Sequence, residues 1–458
     1  MSRVAVRILW FAVFLLGSTL VLWGLLQDQV PQTYDTPAGG PQLVGTSRGH
    51  FPYVGTTSTP YFRPVPGGSS PKLRPPKSSR IWPTLHERED RILTQLNLIP
   101  TNPKHKDQTE QKLILLYNGL PDGTLHGSAR FRADGCPVDN CFVSNDRDVM
   151  DKADAVVFEG GMFDNVHQPR PPGQIWILFL LESPENVADF TSHRDVYNWT
   201  ATYRLDSTIN TPYERFIPYA NASDVQLPPP RRNYAKGKTK KVAWFVSNCY
   251  SVNKRGAYAT ELAKYIAVDV YGACGNMTCL RDDRKRCYQM LTDTYKFYLA
   301  FENSNCRDYI TEKFYWNALY NDIVPVVMGA HPDDYAAVAP PGSYIHVDDF
   351  ESPRHLAEYL HKLDNNDTLY NEYFRWKGSG EFINTKYWCR LCSLVHEAAS
   401  DRAPLAMWYG NMGRWWNGPG ICVHPRTNDR WATWRNQTSF GDVFAAPNTL
   451  NVLHRVIH

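Results

Sequence analysis

Short apolar runs separated by helix-length polar segments constrain this chain more than any other feature. Lys112–Tyr117, Ala155–Phe158, Ile175–Leu181, Val242–Val246, Ile266–Tyr271, Phe297–Phe301, Ile323–Met328 and Tyr344–His346 read as strands. Gly256–Ile266 and Thr311–Tyr320 read as helices among them. Strands that alternate with helices build parallel sheets covered on both faces. A Pro-rich and basic break, LPPPRRNYAKGKTKK at Leu227–Lys241, divides the strands into two groups. The economical architecture is α/β, with two Rossmann-like domains: residues 111–230 on the first side and residues 240–392 on the second.

The chain ahead of these strands has a different character. Ile8–Leu26 is nineteen residues without a charge, which at about 1.5 Å per residue spans a hydrocarbon core of roughly 30 Å. Arg3 and Arg7 precede it and Asp28 follows. The positive-inside bias therefore leaves residues 1–7 in the cytosol and the body in a lumen. A cleaved signal peptide is the rival reading, but Trp23–Gln27 offers no small-residue cleavage site, and an uncleaved anchor over residues 8–26 is favoured. Residues 27–110 follow as a stem, crowded at first with Pro, Gly, Ser and Thr. Such composition has too little apolar surface to offset its ordering entropy. Thr84-Leu85-His86-Glu87 matches a capping box, and Leu85, Ile92, Leu93 and Leu96 keep helical spacing, so a short helix there could pack on the body or self-associate.

Asn-x-Ser/Thr acceptors at Asn198, Asn221, Asn276, Asn366 and Asn436 agree with a lumenal body. In that compartment the ten cysteines read as disulfide partners, although Cys389, Cys392, His396, Cys422 and His424 could be drawn as a zinc site. A net charge of +3 and a pI near 8.2, with no basic stripe interleaved with aromatics, give no nucleic-acid signature.

The chemistry gathers where strands run into loops on the second side. VAWFVSNCYSVNKRGAYATEL passes from a strand through Ser247 and Asn248 to a helix beginning near Gly256, with Arg255 just before it. A helix start welcomes an anion, and an Arg there adds a two-pronged donor. DVYGACG carries Tyr271 into Gly-rich turn residues. KFYLAFENSNCRDYITEKF changes from strand to loop to helix around Glu302, Asn303, Thr311, Glu312 and Lys313. A capped turn would explain that pattern locally. Three such strand ends in one domain suit a nucleoside diphosphate, because α/β sheets bind ligands at the carboxyl ends of their strands. No GxxxxGK[ST] and no GxGxxG is present, which weakens ATPase and dinucleotide readings.

These motifs resemble the α1,3-fucosyltransferases, a family of GT-B fold that uses GDP-fucose. The likeness rests above all on FYLAFENSNCRDYITEKF with VPVVMG. It extends through CPVDNCFVSNDRDVMDKADAVVF, WILFLLESPEN, TYRLDSTI and YIHVDDFESPRHLAEYL, covering about residues 112–392. The resemblance implies that Arg255 and Lys313 neutralise the diphosphate. It implies a donor pocket shaped by Ser247, Asn248, Tyr271, Glu302, Asn303, Tyr309, Ile310, Thr311 and Glu312. Both side chains of the cationic pair are expected to end in a solvated cleft, and Glu302 and Asn303 to face sugar and ribose hydroxyls. Inverting transfer also needs a base from the opposite domain. Glu182, at the end of IWILFLL, is the candidate, with Tyr203 and Asp206 on the acceptor side. Asp146-Arg147-Asp148 mimics a metal-binding DxD but reads as a structural loop. No metal is therefore expected as a requirement, with room left for stimulation by Mn²⁺. The family's pair of cysteines that bridges to a C-terminal Cys-x-x-Cys corresponds to Cys136 and Cys141 with Cys389 and Cys392, in a connectivity the sequence does not reveal.

Residues 393–458 add a Trp-rich extension that shorter Lewis-type relatives lack. Together with SNC and YGACG, it looks more like the invertebrate and plant branch that fucosylates the innermost GlcNAc of N-glycans. Trp408, Trp415, Trp416, Trp431 and Trp434 either offer flat faces to sugar rings or pack on the domain. The expected activity is transfer of fucose from GDP-fucose to a glycoprotein N-glycan, in the Golgi membrane as a single-pass type II protein, with anchor or stem available for homodimer formation. A Lewis-type enzyme acting on N-acetyllactosamine or LacdiNAc is the alternative, and a non-catalytic glycan-binding protein the third.

Overall fold

The computed structural model describes residues 72–75, 79–83, 88–100, 110–119, 126–160, 170–222, 227–279, 283–399, 409–425, 431 and 433–434. The apolar run 8–26, the capping box at Thr84, Trp408 and the acceptor Asn436 lie outside them. Among the described residues no helix is long and apolar enough to cross a membrane.

The first sheet comprises β1 (Lys112–Leu116), β2 (Cys141–Ser144), β3 (Ala155–Glu159), β4 (Ile175–Leu180), β5 (Trp199–Thr202) and β6 (Ile209–Asn210). They lie in the order β2-β1-β3-β4-β5-β6, every pair parallel. After β7 (Arg215–Pro218) come β8 (Lys240–Phe245), β9 (Val268–Tyr271), β10 (Tyr295–Phe301), β11 (Asn305–Cys306), β12 (Val324–Met328) and β13 (Ile345–His346). The second sheet orders five of these as β13-β12-β10-β8-β9, again all parallel. β14 (Gly380–Ile383) pairs antiparallel with β7, and β15 (Cys422–Val423) with β11. The eight runs expected as strands all become strands. The expected helix at Thr311–Tyr320 breaks into Glu312–Tyr315 and a tight turn at Leu319–Asn321. There the Asn321 side-chain amide donates to the Trp316 carbonyl at 2.6 Å.

Parallel strands buried on both faces need apolar side chains in both directions. β10 shows this: all seven positions are buried. Phe297, Leu299 and Phe301 join one cluster with Trp244 and Val326, while Tyr298 and Ala300 join another with Phe314 and Val327. From β8 the chain steps outward to β9 and then returns to the other side of β8 for β10. Strand order reverses at that step, and such a switch point opens a crevice beyond the carboxyl ends. The loops after β8 and β10 flank it.

The last long helix, Tyr387–Ala398, crosses back to the first sheet and packs Trp388, Leu391 and Val395 against Ile114, Val143 and Trp199. The turn of helix at Ile92–Leu96 docks on it, with the Arg390 guanidinium donating to Gln95 at 3.1 Å. All ten cysteines are paired: Cys136–Cys389, Cys141–Cys392, Cys249–Cys274, Cys279–Cys287 and Cys306–Cys422. The first two close loops of 253 and 251 residues, for which the chain-entropy model gives about 5 kcal/mol each as an upper figure. Peptide mapping without reduction should recover both cross-linked pairs, and reduction should lower the melting temperature. Free thiols at these four positions would refute the pairing.

One expectation changes here, and one open alternative is decided. Asn198 is buried and its side-chain oxygen accepts from the Trp176 amide at 2.8 Å, so the folded chain hides this glycan acceptor. Asn221, Asn276 and Asn366 are exposed. Trp415, Trp416 and Trp434 are no more than 4 % exposed, so these rings pack inside instead of presenting faces to a sugar. Asp146 accepts from the Asp148 amide at 3.0 Å and caps its own turn, the structural role read for that motif.

Candidate active site

Beyond β8 the backbone runs through Ser247 and Asn248, both exposed, and a loop tied by Cys249–Cys274. Lys254 takes a left-handed conformation (φ 55°), after which the helix Arg255–Leu262 begins. Arg255 itself is 4 % exposed. Its Nη1 donates to the Phe301 carbonyl at 2.7 Å and its Nη2 to the Asn248 carbonyl at 3.0 Å. The guanidinium thus ties the end of β10 to the loop after β8, and the expectation of a solvated cation does not hold. Nε is buried without a hydrogen-bond partner among the described residues, so the fork keeps a donor in reserve. Burial lowers the Arg255 pKa, against the attraction of Glu302. Tyr271 is also corrected: its hydroxyl bonds Tyr295 at 2.8 Å inside the core, away from the loops.

The end of β10 organises the second wall. Glu302 is fully buried, and its Oε1 accepts from the Thr311 amide and hydroxyl at 2.8 and 2.9 Å. Its Oε2 faces the Lys313 ammonium at 3.0 Å. Gly329, at φ +147°, sits against this side chain; a Cβ there would lie 2.6 Å from Glu302 Cγ. That close approach is why VPVVM ends on glycine. Glu302 therefore does not face a sugar hydroxyl: it fixes the segment that follows it. Burial pushes its carboxyl above the ordinary Glu value, while Lys313 pulls the other way.

Lys313 shares its three ammonium hydrogens among Thr311 Oγ1 at 2.9 Å, Glu302 at 3.0 Å and Glu312 at 3.1 Å. Burial disfavours the charge, but the carboxylates of Glu302 and Glu312 outweigh it and raise the Lys313 pKa. For Glu312 burial works upward and Lys313 downward, and the carboxyl ends below its usual range. An arriving anion must displace one partner. Glu312 is the one able to leave, at 35 % side-chain exposure against 0 % for Glu302.

Across the crevice, β4 runs on into Leu181 and Glu182. Oε1 of Glu182 accepts from the Ser183 amide at 2.8 Å, the Asn303 amide nitrogen at 3.2 Å and the Tyr309 hydroxyl at 2.6 Å. Among the described residues all three bonds fall on this one oxygen. Oε2 keeps its lone pairs for a further donor, as a general base requires. Asn303 and Tyr309 thus meet the carboxylate of the opposite half. Ile310 and Thr311 are buried beside them, at 4 and 1 % exposure. Ser183 and Ser304 join the halves again, Oγ to Oγ at 2.8 Å.

The acceptor-side candidates are otherwise engaged. Asp206 holds the Arg204 guanidinium through both oxygens, at 2.9 and 2.6 Å, and accepts from the Trp415 indole at 3.1 Å. Both its oxygens thus already carry a donor. Tyr203 is 3 % exposed and its ring lies 5.0 Å from that of Tyr309. Sequence reasoning missed the polar residues beneath the site: Arg307 forks onto Asp334 at 2.6 and 2.9 Å, and Asp308 accepts from the Leu205 amide at 3.1 Å. Burial pushes the Asp308 carboxyl up to about 6, against Arg88 and with Asp334. Only the alternation of charges in NCRDY hinted at them.

The description "Fucosyltransferase, N-terminal" matches residues 109–214, and "Glycosyltransferase family 10 (fucosyltransferase) C-term" matches residues 235–411. Glycoprotein 3-alpha-L-fucosyltransferase A of Drosophila melanogaster is 46 % identical over 388 residues, 84 % of this chain and 75 % of that protein. Alpha-(1,3)-fucosyltransferase C of the same organism is 34 % identical over 61 % of this chain and 70 % of that protein. A crystal structure titled as an alpha1,3-fucosyltransferase with GDP-fucose aligns with 68 % of this chain and 96 % of its own, at 16 % identity and a TM-score of 0.42, too slight a likeness to build on. By its two matched regions and its similarity to these relatives, the chain belongs to glycosyltransferase family 10, the fucosyltransferases.

Proposed function

We propose that this fucosyltransferase moves L-fucose from GDP-fucose, with inversion, onto O3 of the innermost GlcNAc of a glycoprotein N-glycan. The observation that carries the mechanism is a carboxylate with one anchored and one open oxygen, Glu182, facing a crevice whose other wall holds Lys313 and Arg255. In this reading the two halves form a GT-B pair of Rossmann-like domains. The diphosphate lies at the switch point between β8 and β10, where Lys313 exchanges Glu312 for a phosphate oxygen and the Arg255 fork supports it. Glu182 Oε2 takes the proton of the acceptor hydroxyl as that oxygen attacks the fucose anomeric carbon. The C1–O bond to the β-phosphate breaks on the opposite side, and Lys313 balances the charge that GDP carries away.

The acceptor assignment is supported by the likeness to the Drosophila glycoprotein enzyme over most of the chain. The anchor reading of Ile8–Leu26, with the body in the Golgi lumen, is supported by the flanking charges and by a fully paired set of cysteines. The full chain, solubilised in detergent, should be given GDP-fucose with and without Mn²⁺. One acceptor is an N-glycan glycopeptide with terminal GlcNAc, the other N-acetyllactosamine. Transfer to the Asn-linked GlcNAc, located by fragmentation of the product, supports the proposal; transfer confined to N-acetyllactosamine makes it a Lewis-type enzyme.

A further inference from the structure

We propose that Tyr309 is a positioning residue for the base: its hydroxyl, from the donor half, holds Glu182 so that one carboxylate oxygen is locked and the other open to the acceptor. The inference rests on the reading of Glu182 as the base. The 2.6 Å bond from Tyr309 is the shortest of the three on Oε1, and it spans 127 residues of sequence. Its geometry is held from behind. The Tyr309 ring tilts against Tyr203 at 5.0 Å, and Tyr203 tilts against Trp416 of the C-terminal extension at 5.7 Å. Trp416 is fully buried and Tyr203 nearly so. Tyr309 is itself 2 % exposed and is anchored by the turn its amide closes on the Cys306 carbonyl at 3.2 Å. A phenol so enclosed has one place to point its hydrogen. Because Tyr309 lies four residues before Lys313, the hydroxyl that holds the base and the donor cation are set on one short piece of chain.

The phenols of Tyr203, Tyr213 and Tyr309 lie near Glu182, that of Tyr213 donating to the Leu181 carbonyl at 2.9 Å, and burial raises all three well above the ordinary phenol range, so they stay neutral. In the full chain, Tyr309→Phe should lower kcat roughly 10–100-fold, the loss of one hydrogen bond to a charged group. GDP affinity by calorimetry should stay within about twofold, since the lost bond does not touch the nucleotide. Asn303→Ala, which removes the other cross-cleft bond from a half-buried position, should show the same pattern more weakly. The double variant Glu182→Gln with Tyr309→Phe should be no slower than Glu182→Gln alone, since Tyr309 acts through that carboxylate. Loss of GDP affinity matching the loss of kcat, or additive losses in the double variant, would overturn the proposal. Near-normal turnover of Glu182→Gln alone would instead remove the base assignment beneath it.

Discussion

Glu182→Gln should reduce turnover by about 10²–10⁴ while leaving GDP binding unchanged. The amide keeps the shape of the side chain, and its oxygen still accepts from Ser183, Asn303 and Tyr309 as Oε1 does now. What it loses is a basic oxygen opposite those donors. Three bonds on one oxygen matter to the size of the effect, because they prevent the carboxylate from rotating to share its burden. The Gln variant should therefore be held as the Glu is, and the loss should fall on chemistry and not on order. Steady-state kinetics with saturating GDP-fucose, together with GDP calorimetry, separate the two. A variant that turned over at near-normal rate on its best acceptor would exclude Glu182. Asp206 is then the weaker substitute, since both its oxygens already serve Arg204.

Lys313→Ala carries the second large effect, and it is not confined to catalysis. The sequence suggests a free cation whose loss spares the fold. Instead the ammonium neutralises Glu302, which has no solvent exposure at all. Removing one partner of a buried pair leaves a stranded charge and costs about 3–5 kcal/mol. The variant should melt lower than the parent and lose GDP affinity and turnover together. Its stability should also depend on pH. Burial holds the Glu302 carboxyl above its ordinary value, so without Lys313 the folded state takes up a proton more readily than the unfolded chain. Stability then falls as pH rises through and above the usual Glu range, and recovers as pH is lowered toward it. Lys313→Met with Glu302→Gln should restore melting but not GDP binding. If the single variant melted like the parent at neutral pH, the pair would not be holding this loop.

The sheets were legible because they are buried on both faces: IWILFL and KFYLAF are continuous apolar runs that need no partner to be recognised. β5 was not, since its sequence is Trp-Thr-Ala-Thr. Thr200 and Thr202 are fully buried but satisfied by Tyr409 and Ser207, partners a reader of the strand alone does not see. The same limit applies to the site. Strand ends identified Glu182, Arg255, Glu302 and Lys313, because polar groups at a strand-to-helix junction are visible locally. Their roles depended on pairings that the local pattern does not show. Tyr309 and Asn303 turn toward the opposite half, Glu302 turns inward to Lys313, and Arg255 reaches carbonyls instead of solvent. The Trp-rich tail was ambiguous between ligand and core for the same reason. An indole has an apolar body and one donor, and only the neighbours decide which end matters.

The two long disulfides set a schedule for biosynthesis. Cys136 leaves the ribosome 253 residues before Cys389, and Cys141 precedes Cys392 by 251. At about 5–20 residues per second, each early cysteine waits on the order of 10–50 s for its partner to exist. During that interval Cys249, Cys274, Cys279, Cys287 and Cys306 emerge in turn, nearer in sequence and free to capture it. The first sheet cannot receive its covering helix until nearly the whole chain has been made. Yield of the native enzyme should thus hinge on a disulfide isomerase and on slow oxidation more than on the intrinsic stability of either half. A host that oxidises thiols quickly would trap the first half with the wrong neighbour.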